Sequence, residues 1–356
     1  MSEQPVEEVA DVRADERIDS AALAAYLRDR LDTGDAPLEV KQFPGGHSNL
    51  TYLLRFGDRE LVLRRPPLGP VAPKAHDMAR EFRVLSELWR VYPPAPRAYL
   101  FCDDALLIGA SFYVMERRRG VVIRRRIPAE LGNSADAGRR LSEALIDALA
   151  DLHAVDYRAV GLGNLGKPDG FVERQVRGWA ERWQRAKTRE LPAIEELSAW
   201  LLARIPDSPP PALIHNDFKF DNVMYAAGDP GKIVAVFDWE MCTIGDPLMD
   251  LGTLLGYWVH DDDPEVFLAG MTSPTNLEGF PRREQLIERY GRRTGIDVSK
   301  IAFYRVFACY KTAVVAEQIY VRYVRGQTKD ERFAMLGPVV PLLIEAASQI
   351  AKESRL

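Results

Sequence analysis

The stretch IHNDFKFDNVMY, Ile214 to Tyr225, sets two aspartates, a lysine, a histidine and two asparagines between apolar ends. A second stretch, VAVFDWE, Val234 to Glu240, follows it closely and brings a further acid, Asp238, at the end of a β-branched run. Asp217 and Asn222 stand at a spacing that a tight loop can turn toward one point, whereas a helix would set them on different faces. Asparagine and aspartate oxygens are hard ligands of the kind Mg2+ takes, with water or phosphate oxygens completing its shell. Asp217, outside that ligand pair, is then available to accept a hydroxyl proton. A polar turn, with Asp and Asn present for turn chemistry alone, explains either stretch singly. The two in order, each flanked by a strand pattern, point to a site.

Of the 356 residues, 47% are hydrophobic and 28% charged, an ordinary globular balance with enough apolar side chain for a core divided into two lobes. The formal net charge of −5 provides no global positive field for a nucleic-acid partner. Cys102, Cys242 and Cys309 are scattered, with no paired spacing of a zinc site or disulfide framework, so a reduced, cytoplasmic setting is expected. The opening MSEQPVEEVADVRADE lacks the basic end and apolar run of a secretory signal and reads as a disordered tail over residues 1–16. FAMLGPVVPLLIEAA, Phe333 to Ala347, is short for a bilayer span and carries Pro338 and Pro341. No membrane segment is expected there.

Patterning divides the rest of the chain. IDSAALAAYLRDRLD has apolar residues at helical spacing behind Asp19 or Ser20 as N-cap. From Leu38 to Leu63 the runs LEVKQF, LTYLLRF and ELVLRR alternate or are β-branched, and the turn signals PGGHSN and GDR separate them, which predicts an antiparallel meander. AHDMAREFRVLSELWRVY predicts a helix, and YLFCDDALLIGASFYVMER two further strands. From about Ala129 the pattern is helical almost to the end, interrupted by strands in PALIHND and KIVAVFDWE. The predicted organisation is a small β-rich lobe over residues 17–116 and a large helical lobe over residues 117–356.

The spacing H-x-D-x-K-x-x-N followed by D-W-E resembles the catalytic loop and metal-binding Asp of protein-kinase-like enzymes. In detail it is similar to the aminoglycoside phosphotransferase and choline kinase family, whose loop is usually H-G-D-x-x-x-x-N; here Asn216 stands where Gly is usual. The resemblance runs from about Glu39 to the end. It implies an α+β, bilobal protein-kinase-like fold, with a small antiparallel sheet and a large, mostly helical lobe, that uses ATP and Mg2+ to phosphorylate a small-molecule hydroxyl acceptor. On that resemblance Asp217 deprotonates the acceptor, Asn222 and Asp238 hold Mg2+, Lys219 touches the transferred phosphoryl group and His215 shapes the loop. It also implies a phosphate-holding cation at the end of the third strand, Arg64 or Arg65, paired with Glu81 on the next helix. In PGGHSNLTY, Gly45 and Gly46 permit positive φ, while Ser48 and Asn49 offer donors to phosphate. The backbone of Glu116 and Arg118 would meet an adenine edge. Asp246 and Pro247 read as N-cap and N1 of a helix, and Asp250 resembles the residue that braces a kinase catalytic loop from beneath.

The acceptor is less constrained. A polycationic aminoglycoside calls for a dense acidic wall, to which HDDDPE, His260 to Glu265, could contribute. By contrast Lys311, Gln318, Arg322 and Arg325 stand among apolar residues on one predicted helix and favour an anion with an apolar portion, and ERRRGVVIRRR, Glu116 to Arg126, is a second basic run. VLRRPP, REFRVLS, FYVMER and IYVRYVRGQ resemble the kinase domain joined to certain acyl-CoA dehydrogenases, a subgroup associated with phosphorylating hydroxyacyl-CoA. Hydroxyacyl-CoA is therefore the favoured acceptor, with an aminoglycoside or a pseudokinase scaffold as alternatives.

Overall fold

A computed structural model describes residues 9–44, 49–67, 77–132, 135–264, 267, 273–328, 330–354 and 356. The chain divides into two compact units, residues 1–119 with 234–242, and residues 120–233 with 243–356. Gly45, Gly46 and Ser48 lie outside the described residues.

In the first unit, β1 (Leu38–Gln42), β2 (Leu50–Phe56), β3 (Arg59–Arg65), β4 (Ala98–Cys102) and β5 (Phe112–Glu116) form one antiparallel sheet in the order β1-β2-β3-β5-β4. Strand period two sorts its side chains. Leu50, Tyr52, Leu54 and Phe56 join Leu61 and Leu63 in a core that also takes Leu23 and Leu27 from α1 (Ser20–Arg28). Asp19 caps α1 through the N–H groups of Ala21 and Ala22. The intervening residues belong to the other face, where α2 (Met78–Leu88) packs beside β4 and β5. Between β4 and β5 a short helix, α3 (Ala105–Ile108), replaces the expected turn, capped by Asp104.

Residues 9–16 correct the expected tail. Ala10 bridges Gln42 at the sheet edge, Ala14–Glu16 forms a 3-10 turn, and the Tyr52 hydroxyl donates to the Glu16 carbonyl at 2.8 Å. The segment is polar because it satisfies an edge strand and a buried tyrosine rather than filling a core.

The second unit begins with β6 (Val121–Val122) and the helices α4 (Ala135–His153), α5 (Phe171–Ala186) and α6 (Pro192–Ala203). Next come β7 (Ala212–Ile214), β8 (Val223–Ala226), β9 (Asp229–Val236, whose last residues belong to the first unit) and β10 (Thr243–Gly245). The remaining helices are α7 (Pro247–Gly256), α8 (Arg283–Thr294), α9 (Ile301–Val324) and α10 (Leu336–Glu353). β10 pairs antiparallel with β7, and β6 with β8. These two- to four-residue strands are too short for a period to show in sequence, and only β7 and β9 were expected.

Helix α9 packs against α5, α6, α7 and α10, which explains why it is apolar nearly all round, from Phe303 to Val321. Its buried acid, Glu317, accepts from the Thr188 N–H and hydroxyl at 2.7 and 2.6 Å and from Arg189 at 3.0 Å. The segment Glu331–Glu353 is longer than the apolar stretch read from the sequence, since the helix continues past Ala347 to Glu353, and passes for a membrane span by length and composition only. Its apolar side packs on α9, where Gly337 meets the Tyr320 ring.

Helix α7 lies close against α9. A Cβ at Gly252 would come within 2.8 Å of the Tyr304 Cβ and carbonyl oxygen. Gly252→Ala is therefore expected to cost about 1–3 kcal/mol through overpacking, read as a lower urea midpoint; an unchanged midpoint would mean that the two helices part freely.

Candidate phosphotransfer site

In the first unit the sheet register separates the two arginines that the sequence leaves open. Arg65 pairs with Leu50 and Arg64 with Thr51 and Tyr113, so their side chains take opposite faces. Arg65, 1% exposed, donates to the Ile108 carbonyl at 2.6 Å and sits 5.5 Å from the Tyr52 ring centre. It is part of the core. Arg64 meets Glu81 of α2 at 3.0 Å and the Asp238 Oδ1 at 2.6 Å. Glu81 also accepts from the Trp239 N–H at 3.1 Å. Burial first, then the charges of Asp238 and Glu240, push Glu81 up to about 7, while Arg64 pulls it down.

Asp238 is not carried on the strand itself. β9 ends at Val236, and Asp238 stands two residues later with φ 67°, opening a 3-10 turn over Trp239–Met241. Left-handed backbone at a non-glycine residue is a strained state that the surroundings must hold, and the Arg64 ion pair and the Trp239–Glu81 bond do so from both sides. Two further candidate residues of the first unit have partners of their own. Asn49 spends its amide on Glu240 at 3.1 Å, and its buried Oδ1 has no partner among the described residues, so it is a brace of the D-W-E turn as it stands. The Glu116 N–H is spent on the Arg97 carbonyl at 2.8 Å, and its carboxylate pairs with Arg118 at 2.9 Å.

In the second unit the loop between β7 and β8 holds Asp217, Lys219 and Asn222 together. Lys219 reaches the Asp217 Oδ1 and Oδ2 at 2.9 and 2.8 Å. Asn222 turns its amide nitrogen to the Asp217 carbonyl and Oδ2 at 2.8 and 2.9 Å, which directs its Oδ1 away from Asp217. His215 is fully buried and accepts the Asp217 N–H on its Nδ1 at 3.3 Å. Beneath them the Asp250 carboxylate, on α7, accepts the N–H groups of His215 and Asn216, each at 2.5 Å. Its other partner, His153 Nε2, lies at 3.2 Å, and His153 Nδ1 in turn meets the Tyr290 hydroxyl at 2.7 Å. Burial alone would raise Asp250; His153 and His215 outweigh it and hold the carboxyl below its usual range. Asp246 caps α7 through the Leu248 N–H at 2.9 Å, with Pro247 in the first turn.

Asn216 has φ 69°. Glycine adopts that backbone without cost and asparagine is among the few other residues that tolerate it, which accounts physically for Asn where Gly is usual. Its carbonyl accepts from Lys311 of α9 at 3.1 Å.

Tyr257, one residue beyond α7, had no signal in the sequence. Its ring centre is 4.7 Å from the Lys219 Nζ, and burial followed by the Asp217 charge pushes it up to about 12. Burial presses the Lys219 ammonium down, but Tyr257 and Asp217 outweigh it and raise it above an ordinary lysine. Lys219, Tyr257, Leu145, Phe220, Leu254 and Trp258 line a small cavity. Arg322 and Arg325 are exposed near the end of α9, about 16 and 21 Å along the helix from Lys311 at 1.5 Å per residue; they are not gathered at the loop.

For a metal, the fit is one of donor chemistry. Among the described residues no group of three or more His, Cys, Asp and Glu side chains could hold an ion alone. In the second unit the Asn222 Oδ1 is left outside its amide bonds, and in the first the Asp238 Oδ2 is left outside the Arg64 pair; each by itself is a hard oxygen donor of the kind that Mg2+ takes.

The left-handed backbone at position 216 is testable. Asn216→Gly is expected to keep turnover within a few-fold, whereas Asn216→Val, β-branched at positive φ, should cost about 1–3 kcal/mol and most of the activity. Equal behaviour of the two variants in thermal melts and kinase assays would refute the backbone argument.

The sequence model of the phosphotransferase enzyme family matches residues 39–286. Acyl-CoA dehydrogenase family member 11 is 34% identical over 355 residues in Rattus norvegicus and 33% identical over 357 residues in Homo sapiens, each match covering 98% of this chain and 45% of the relative. This chain thus spans about half the length of the curated relatives it matches. A provisionally named aminoglycoside phosphotransferase from Ralstonia eutropha superposes with a TM-score of 0.82 at 28% identity, covering 96% of this chain and all of the other. A choline kinase from Cryptosporidium parvum shares the fold at a TM-score of 0.63 and 11% identity, covering 94% of this chain and 96% of its own. Aminoglycoside phosphotransferase APH(4)-Ia, in a ternary complex with AMP-PNP and hygromycin B, shares it at 0.58 and 16%, covering 93% and 98%. The fold is the α+β, kinase-like phosphotransferase fold, and the chain belongs to the phosphotransferase enzyme family.

Proposed function

We propose that this chain transfers the γ-phosphate of ATP to the hydroxyl of a hydroxyacyl-CoA. The enzyme is a phosphotransferase with a hydroxyl acceptor, and ATP and Mg2+ are its cofactors. The observation that carries the reading is the Asp217 carboxylate, held on a braced loop with Lys219 and Asn222 as its side-chain partners. Asp217 orients the acceptor hydroxyl and takes its proton as the acceptor oxygen bonds to the γ-phosphorus and the bond to ADP breaks. Lys219 moves from Asp217 to the transferred phosphoryl oxygens, Arg64 holds the nucleotide phosphates, and Glu81 fixes Arg64. Asn222 Oδ1 and Asp238 would hold Mg2+, which would supply neutralisation of phosphate charge. Arg118 and the Glu116 carbonyl serve the adenine edge, and Gly45, Gly46 and Ser48 cover the phosphates.

Two observations support an acyl-CoA over an aminoglycoside. Relatives aligned over nearly the whole chain are named as acyl-CoA dehydrogenases. The acidic run that a polycation would need is engaged internally: Asp261 accepts from Asn276 at 3.0 Å, Asp262 pairs with Arg282 at 2.7 Å, and Asp263 with Arg283. The exposed Arg124 and Arg125 remain to meet phosphates.

Incubation of the purified chain with ATP, Mg2+ and a panel of 4-hydroxyacyl-CoAs, aminoglycosides, choline and homoserine should add one phosphate mass to a hydroxyacyl-CoA. Phosphorylated kanamycin with unmodified acyl-CoAs would overturn the acceptor. Asp217→Asn is expected to lower kcat by about 10²–10⁴ with nucleotide binding retained in thermal-shift titration; undiminished turnover would remove Asp217 from its role.

A further inference from the structure

Lys311 is a part-buried lysine beside the candidate loop, and among the described residues its one hydrogen bond goes to the carbonyl of Asn216, the residue before Asp217. Among the described residues it pairs with no carboxylate. An ammonium group has three donors, and burying one without a counter-charge is unfavourable unless something else meets it. Its surroundings deepen the imbalance. Burial lowers its proton affinity, and although Asp217 and Asp250 act the other way, the charges of Lys219 and Arg182 add to the lowering. Asp217 is already taken by Lys219. An apolar wall completes the setting: the Trp179 ring centre lies 5.9 Å from the Lys311 Nζ, and Arg182 covers the same ring at 4.6 Å.

We propose that Lys311 is the specificity-determining residue for the acceptor, donating to a carbonyl or carboxylate oxygen that the acceptor carries near the hydroxyl presented to Asp217. The inference rests on the phosphotransferase reading above and adds what the acceptor must bear: an electron-rich oxygen close to its hydroxyl, next to an apolar chain that lies on Trp179. One donor stays on the Asn216 carbonyl, so acceptor binding and the position of Asp217 are linked through a single side chain. A cationic acceptor finds Lys311, Lys219 and Arg182 and is repelled, because like charges in a partly desolvated site are costly. Along α9, Val315, Gln318, Arg322 and Arg325 continue the Lys311 stripe at helical spacing. The exposed guanidiniums at its far end suit an extended acceptor with distal anionic groups.

Calorimetric titration of the full chain, with Mg2+ and AMP-PNP present, separates this from other roles of Lys311. The probes are 4-hydroxypentanoate, 4-hydroxypentanoyl-CoA and kanamycin. Wild type should bind the first two and not the third; Lys311→Met should weaken them at least tenfold, Lys311→Arg should restore most of that, and Lys311→Gln, should the methionine variant not fold, should fall between. Steady-state assays add the readout that a mere loop clamp would not move: KM for the oxygen-bearing acceptor rises in Lys311→Met more than kcat falls. Equal binding by wild type and Lys311→Met, no binding of either hydroxy compound by wild type, or a pure kcat loss would each overturn the proposal. Acceptors that bind through Lys311 yet gain no phosphate from ATP would instead refute the phosphotransfer reading while leaving the Lys311 contact standing.

Discussion

The loop that carries Asp217 depends on one buried carboxylate. Asp250 receives two consecutive backbone N–H groups, of His215 and Asn216, and a third donor from His153. A carboxylate fully removed from water is tolerated because charge-assisted bonds of this kind replace its hydration. The consequence reaches along the chain. Asp217 emerges from a segment whose two preceding amides are anchored to a helix, and that helix is itself seated by the close approach of Gly252 to Tyr304 and by the bond from the Tyr304 hydroxyl to Asp246 at 2.7 Å. Loop placement is therefore set by helix packing, not by the loop's own turn residues, and Asn216 takes up the left-handed backbone that this demands.

A common electrostatic device appears once in each unit. Arg64 stands between Glu81 and Asp238, and Lys219 stands on Asp217. Each of these carboxylates, partly withdrawn from water, is thus matched by a cation, which offsets its lost hydration. Lys311 breaks this pattern. It is a cation without a matching acid, and its partner is a backbone carbonyl. In a chain of formal charge −5, with Asp261, Asp262 and Asp263 already engaged by Asn276, Arg282 and Arg283, that exception is what motivates the acceptor role proposed for Lys311.

Much of this was legible in the residues themselves. Period two placed the strands of the first unit, period 3.6 placed the long helices, and the side-chain types of Asp217, Lys219, Asn222 and Asp238 specified the reaction class, since a proton acceptor and hard oxygen ligands are intrinsic to those groups. Asp19 and Asp246 announced their helices because capping is local. Where the reading failed, the cause was non-local. The short strands around the loop exist only because partners elsewhere in the chain complete them, the polar segment at residues 9–16 folds because an edge strand and Tyr52 need partners, and Asn49 turned to Glu240, remote from it in sequence.

By itself, then, the order of residues determined the family and the fold and named the candidate groups of the site, because those follow from side-chain chemistry and short-range periodicity. Only the tertiary structure decided that Arg64, not Arg65, meets Glu81, since one step along a strand moves a side chain to the opposite face and the sheet alone defines which face carries Glu81. It alone revealed why Asn replaces Gly at position 216, and that Lys311, distant in sequence, is held against the loop by the packing of α9. Pairings across such separations depend on how helices and sheets pack, and no local rule encodes that.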